Sequence, residues 1–162
     1  MTKKPSEIVN YLVEQYSSIN EKVPYINHGG CGVFAEKLYN IMRNIGLKPQ
    51  LVVITNNRIE MDKRIRGEAH NYGSIIHIVV KIHGKYVDST GVYKSIAAVA
   101  DYHKYPLKER EVSTLLTTDV LANWNSQRYF WNERFNRKYI KTIEDKLEKV
   151  CNMAKKNLVV TK

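Results

Sequence analysis

Residues 74–93 read SIIHIVVKIHGKYVDSTGVY, and their pattern decides the fold. Ile75 to Ile82 is the strongest strand signal in the chain, and Lys85 to Ser89 is a second β-rich run. The two are separated only by His83-Gly84, which predicts an antiparallel hairpin. A two-residue turn there pairs Ile82 with Lys85, Lys81 with Tyr86, Val80 with Val87 and Val79 with Asp88. Side chains alternate between faces along a strand. His77, Val79 and Lys81 then share a face with Tyr86, Asp88 and Thr90. Ile76, Ile78, Val80, Ile82 and Val87 lie on the other face and are expected to pack on the core. In this register His77 and Asp88 are diagonal neighbours, roughly 7–8 Å apart at Cα and within side-chain reach. A three-residue turn would put them on opposite faces.

Upstream, His28-Gly29-Gly30-Cys31-Gly32 leads into a helix expected over about Val33 to Ile45. Phe34, Leu38, Ile41, Met42 and Ile45 form its apolar face, and Gly46 suits its C-terminal cap. Cys31 thus falls where a loop becomes a helix. The first amides of a helix lack intrahelical acceptors and the dipole is positive there, which favours a thiolate. Gly30 and Gly32 leave room for a carbonyl to approach the sulfur. Cys151, beside Leu147, Val150 and Ala154 on a helical stripe, reads instead as a core residue.

Around these segments lie further elements. Pro5 to Ser17 is expected to be a helix buried through Ile8, Val9, Leu12 and Tyr16. Leu51 to Ile54 reads as a short buried strand. Thr55 to Ser74 is polar and basic without clear periodicity, and reads as a long loop or a hidden short element next to the site. Ser95 to Tyr102, Thr118 to Phe135 and Tyr139 to Lys155 read as helices. The expectation is one α+β domain, residues 1–162, with the cysteine helix packed on an antiparallel sheet and a helical C-terminal region.

Bulk properties exclude several classes. The chain has 162 residues and is 43% hydrophobic, which argues against disorder. Two cysteines make neither a disulfide framework nor a four-cysteine zinc site. No apolar run reaches the ~18 residues of a membrane span, and no signal peptide is legible near Met1, so a cytoplasmic location without membrane partners is expected. The formal charge of +10 is spread evenly, with 13 basic and 8 acidic residues in 1–100 and the same numbers in 101–162. A diffuse excess suits an ordinary soluble surface, or an acidic partner. No nucleotide-binding glycine fingerprint is present.

A thiol nucleophile needs a proton acceptor, usually histidine, held by a third group. Cys31, His77 and Asp88 offer those roles in that chain order. A cysteine at a helix start, then histidine on one strand and aspartate on the next, resembles the papain-like superfamily of cysteine enzymes. Residues 29–46 and 77–93 resemble its transglutaminase-like branch most, which includes transglutaminases, related bacterial cysteine peptidases and, more distantly, arylamine N-acetyltransferases. The resemblance implies a papain-like core, with Cys31 as nucleophile, His77 as base and Asp88 as its orienter. It implies amide hydrolysis or acyl transfer on a protein or peptide, with no cofactor. Papain-type enzymes carry a Gln shortly before the cysteine. None stands between Gln15 and Cys31 here, so Asn27 and the Gly32 amide are the candidate oxyanion donors.

Two other readings compete. His28, Cys31, His77 and Asp88 are all acceptable zinc ligands. A non-catalytic module of the same fold would use its bases to bind nucleic acid or an acidic protein. Lys63-Arg64-Ile65-Arg66 and SQRYFWNERFNRKYIK (126–141) mix bases with aromatics, as stacking surfaces do.

Overall fold

The computed structural model describes residues 2–23, 26, 30–55, 57–68, 75–105, 113–126, 137–157 and 159–160. Among them a short parallel pair, β1 (Thr2–Lys3) with the last strand β7 (Val159–Val160), joins the two ends of the chain. The main sheet is antiparallel and five-stranded. Its order is β5 (Gly91–Tyr93), β4 (Lys85–Asp88), β3 (Ile75–Ile82), β2 (Gln50–Thr55), β6 (Ser113–Leu116). β3, which carries His77, is the central strand.

Helices cover both faces. On one lie α1 (Pro5–Tyr16), the single-turn α2 (Ile19–Lys22), α3 (Cys31–Asn44), α6 (Thr118–Ser126) and α7 (Arg137–Asn157). α3 packs directly on the sheet and is itself covered by α6 and α7. That placement explains why Val33 and Ala35 are buried as well as the expected Phe34, Leu38, Ile41 and Met42. The first turn, enclosed by the sheet and other helices, is buried all round, while Asn40, Arg43 and Asn44 keep a polar face further along. The chain leaves α3 at Gly46, whose φ of 92° is left-handed, while the Leu47 amide donates to Met42 O at 2.8 Å. This is the backbone bonding of a glycine-terminated helix. Cys151 is buried in α7 beside Leu147, Val150 and Ala154, as its helical stripe requires.

The second face carries α5 (Ile96–His103), whose Ile96 and Val99 pack on Val52, Ile54 and Val79. Its Ser95 side chain caps it by accepting from the Ala98 amide at 3.0 Å.

The hairpin has the expected register: Val80 opposite Val87, Lys81 opposite Tyr86, Ile82 opposite Lys85. His83 and Gly84 have φ of 50° and 73°. Two consecutive positive φ values characterise the turn whose twist matches that of its flanking strands.

The structure corrects the face of Ile76 and the start of the cysteine helix, supplies the short element that the polar stretch could hide, and adds strands to the sheet. Ile76 does not join the main core: it packs with Val52, Ile54 and Val79 on the α5 face. The cause is a bulge, because Ile54 pairs with His77 while Thr55 pairs with Ile75, leaving Ile76 as an extra residue. The polar stretch after Thr55 contains α4 (Arg58–Ile65). Only Met61 and Arg64 of that helix are buried, so it shows no apolar periodicity, yet Asn57 caps it through the Glu60 amide. The cysteine helix begins at Cys31 rather than Val33. Strands β5 and β6 extend the sheet beyond the expected hairpin and Leu51–Ile54. Of the helix expected over Thr118–Phe135, residues 127–135 lie outside the described residues.

A methyl group at Gly84 would meet nothing within 4 Å, so only its backbone angle opposes substitution. Gly84→Ala is expected to destabilise the protein by about 1–2 kcal/mol, read from urea unfolding. An unchanged midpoint would show that this turn does not hold the hairpin.

Candidate active site

β3 and β4 place His77 and Asp88 side by side. His77 is 0% exposed, Asp88 2%, and their Nε2 and Oδ2 atoms lie 3.0 Å apart. The same Oδ2 receives a second imidazole: His103 Nε2, from the last turn of α5, at 2.8 Å. The other oxygen, Oδ1, accepts from the Thr90 amide at 2.8 Å and from the Thr90 hydroxyl at 2.5 Å. Asp88 therefore does two things at once. It caps the turn after β4 through Oδ1 and holds two histidines through Oδ2.

The backbone around Asp88 is tied to the N-terminal helices. Tyr16 in α1 donates its buried hydroxyl to Asp88 O at 2.8 Å. Burial and the nearby Asp88 charge push the Tyr16 pKa well up, so this hydroxyl stays a donor. Asn20 Nδ2 donates to Ser89 O at 2.6 Å, and the Ser89 hydroxyl donates back to Asn20 Oδ1 at 2.8 Å.

His103 lies just beyond the helix expected over Ser95 to Tyr102, and the structure places it in the last turn of α5. One signal for it stands in the sequence: Ile96, Val99 and His103 follow one helical stripe, whose first two members are core residues. Beyond it, Lys104 adopts a left-handed φ of 59°, and the Tyr105 amide donates to Ala100 O at 3.0 Å. That reversal folds Tyr105 back on the cluster. Its ring stacks on His103 (5.0 Å, 18°) and tilts toward His77 at 5.4 Å.

Cys31 is the first residue of α3 and is 6% exposed. Gly30, the residue that caps α3, provides no side-chain hydrogen bond to its amides. At the other side of this first turn, Asn125 Nδ2 from α6 donates to Gly32 O at 3.1 Å and to Glu36 Oε1 at 2.8 Å. Asn27, the other candidate oxyanion donor, and His28 lie outside the described residues.

Cys31 stands outside the tight group. The ligand atoms of His77, Asp88 and His103 all lie within 4.8 Å of one another, and the thiol is not among them. His77 Nδ1, on the far side of the ring from Asp88, is buried and has no hydrogen-bond partner of ordinary geometry among the described residues. Cys31 nevertheless acts on this imidazole. Burial alone would lower the His77 pKa, but the hydrogen bond to Asp88 and the side-chain and charge interactions of Cys31 reverse this and raise it to about 9. For Asp88, burial would raise the carboxyl. Hydrogen bonds from His103 and His77, the His77 charge and the Thr90 bond outweigh it and hold Asp88 well below the usual carboxylate range.

His77, Asp88 and His103 also form a group able to hold a divalent ion, which differs from the expected set of His28, Cys31, His77 and Asp88. The basic stretch Lys63 to Arg66 is not a uniform solvent face, since Arg64 is buried with its guanidinium 5.1 Å above the Trp124 ring. Residues 127–136, the centre of the second basic and aromatic stretch, lie outside the described residues. No helix among the described residues is long and apolar enough to cross a membrane. Compared with protein-family models, curated proteins and solved structures, the chain matches none.

The pair has a definite pH signature. A histidine raised from 6.5 to about 9 stabilises the fold fully below pH 6.5 and loses that contribution as pH rises through 9. Asp88, held low, contributes above the ordinary carboxylate range and loses its contribution in acid. Stability should therefore be greatest near pH 5–6.5 and fall toward pH 9.5, by roughly 5 °C or more in Tm. His77→Gln should flatten the alkaline fall. A wild-type Tm that is level from pH 6 to 9.5 would contradict a charged buried pair.

Proposed function

We propose that this protein is a thiol-dependent acyl-transfer enzyme, a peptidase or transglutaminase-like enzyme on a papain-like core, acting on an amide of a protein or peptide. The observation that carries the reading is the buried, partnerless Nδ1 of His77, on a ring held from behind by Asp88 and influenced by Cys31 at the head of a helix. A buried ring nitrogen without a hydrogen-bond partner of ordinary geometry calls for an explanation, and a chemical task is one. Histidine, carboxylate and cysteine in this order are the groups that such a task uses.

In the proposed reaction Cys31 and His77 react as a thiolate–imidazolium pair, with the Cys31 proton held on His77 Nδ1. The sulfur attacks the amide carbon, a C–S bond forms, and the carbonyl π pair moves onto oxygen. Collapse breaks the C–N bond, and His77 gives its proton to the departing amine. Water or a second amine then attacks the thioester, His77 takes its proton, and the C–S bond breaks to regenerate the thiolate–imidazolium pair. Asp88 orients His77 and stabilises its charged form throughout. His103 and Thr90 fix Asp88. The amide of Gly32, in the first turn of α3, is a candidate donor to the oxyanion.

Cys31 and Cys151 are 6% and 7% exposed, so a difference in their reactivity reads chemistry and not access. With iodoacetamide at pH 6–7, followed by mass spectrometry, Cys31 should be alkylated at least about tenfold faster than Cys151. His77→Ala should bring Cys31 to the Cys151 rate. If Cys31 is as slow as Cys151, or indifferent to His77, the reading fails.

A metal centre is the second reading, favoured by two imidazole nitrogens converging on one carboxylate oxygen. Elemental analysis of the purified protein separates the two. Stoichiometric zinc or iron, lost in His103→Ala, would replace the thiol reading; its absence together with rapid Cys31 alkylation would retire the metal.

A further inference from the structure

Among the described residues, α5 covers part of the second face of the sheet, lying over Val52, Ile54 and Val79. Two residues further along the strands, a row of side chains crosses four of them: Gln50 on β2, Lys81 on β3, Tyr86 on β4 and Tyr93 on β5. Each stands opposite the next in the ladder, and residues opposite each other point to the same face. Tyr86 and Tyr93 pack against the margin of the α5 cluster, which makes this the α5 face. Gln50 is exposed, and the other three are half-buried. Tyr102 continues the row from α5. Its ring centroid lies 5.6 Å from that of Tyr93, and it is 59% exposed, the one exposed aromatic side chain among the described residues.

The charge around this row has one sign. Lys81 Nζ stands 5.6 Å from the centroid of the Tyr86 ring. Residues 75–105, which build this part of the sheet and α5, contain Lys81, Lys85, Lys94 and Lys104, with no arginine and no glutamate. Lys85, Lys94 and Lys104 are exposed. Of the two aspartates in the segment, Asp88 is buried among its donors, and Asp101 is exposed. Half-open rings bordered by cations complement a polymer that carries flat rings on an anionic backbone. The lack of arginine narrows the choice further. An ammonium attracts a phosphate as a point charge but does not read a base edge with two parallel hydrogen bonds. Rings lying on a sheet also need bases that are free to leave their own stack, which a duplex does not offer.

We propose that the row of Lys81, Tyr86, Tyr93 and Tyr102 is a binding surface for single-stranded nucleic acid, with bases stacked on the tyrosines and phosphates paired with the bordering lysines. It lies on the opposite face of the sheet from α3 and does not depend on the thiol reading. It also uses neither of the stretches in which the sequence interleaves bases with aromatics, Lys63-Arg64-Ile65-Arg66 and 126–141. Stacking and phosphate pairing make the binding tolerant of sequence and sensitive to salt. Three or four lysine–phosphate pairs give a slope of log K against log salt of about −2 to −3.

The test titrates the full chain into a fluorescein-labelled oligothymidylate of about twelve nucleotides, followed by anisotropy. At about 0.1 M salt, charges more than about 10 Å apart are largely screened, so distant lysines contribute little. The strand should bind at least about fivefold more tightly than its duplex with oligoadenylate, and than polyglutamate of equal charge. Tyr102→Ala, at an exposed position, and Tyr86→Leu, which keeps apolar packing, should each weaken binding about fivefold or more. Lys81→Gln should weaken it and reduce the salt slope by about 0.7. Lys149→Gln, the same charge change at an exposed position of α7, should stay within about twofold of wild type. If Tyr86→Leu loses the fold by circular dichroism, Tyr102→Ala decides alone. Ring variants that bind like wild type, or equal losses in Lys81→Gln and Lys149→Gln, would overturn the proposal in favour of bulk charge. Equal binding of polyglutamate would overturn it and give the face to an acidic protein. Equal binding of the duplex, or no binding of the strand, would overturn it as well.

Discussion

A carboxylate buried to 2% exposure is unfavourable unless donors replace the water it has lost. Asp88 is given such donors from every side. Two imidazoles meet Oδ2, the Thr90 amide and hydroxyl meet Oδ1, and Tyr16 satisfies the carbonyl of the same residue. These groups come from α1, β3, the turn after β4, and α5. The need to compensate one charge therefore fixes the mutual placement of elements on both faces of the sheet. Removing any one donor leaves a buried charge short of partners, a far larger penalty than the loss of a surface hydrogen bond.

The bulge at Ile76 sits one residue before His77 on the central strand. Bulges recur next to functional sites because they re-aim a side chain without moving the strand. Here the bulge also sorts the hydrophobic residues. Ile78, Val80 and Ile82 feed the core under α3, while Ile76 and Val79 pack toward α5. His77 keeps company with the second group, where His103 and Tyr105 wait, yet Cys31 on α3 still influences its ring. The central strand is thus where groups from both layers of helix can act on one imidazole.

What the sequence made legible was local. The hairpin, its two-residue turn and the pairing of His77 with Asp88 all follow from alternation and a His-Gly turn, which are properties of adjacent residues. Cys31 at a helix start was readable from glycines followed by helical spacing. The bulge was not, because nothing in Ser74-Ile75-Ile76 distinguishes a bulged pair from a regular one. α4 hid behind polarity, although Asn57 and Glu60 at cap spacing and Gly67 beyond its end were signals of its limits. Among the described residues strand β6 pairs only with β2, about sixty residues away, and short partners at such separation carry no local mark. His103 and Tyr105 escaped notice for the same reason: their contacts with Asp88 and His77 exist only because α5 lies on the second face of the sheet.

Tyr16 and Asn20 reach Asp88 and Ser89 across 72 and 69 residues of chain. Closing a loop of that length costs conformational entropy that no local contact offsets. An isolated hairpin would hold His77 and Asp88 in register yet leave them wet and unpolarised. The perturbed imidazole is consequently a property of the finished fold, and its titration is a gauge of complete tertiary structure.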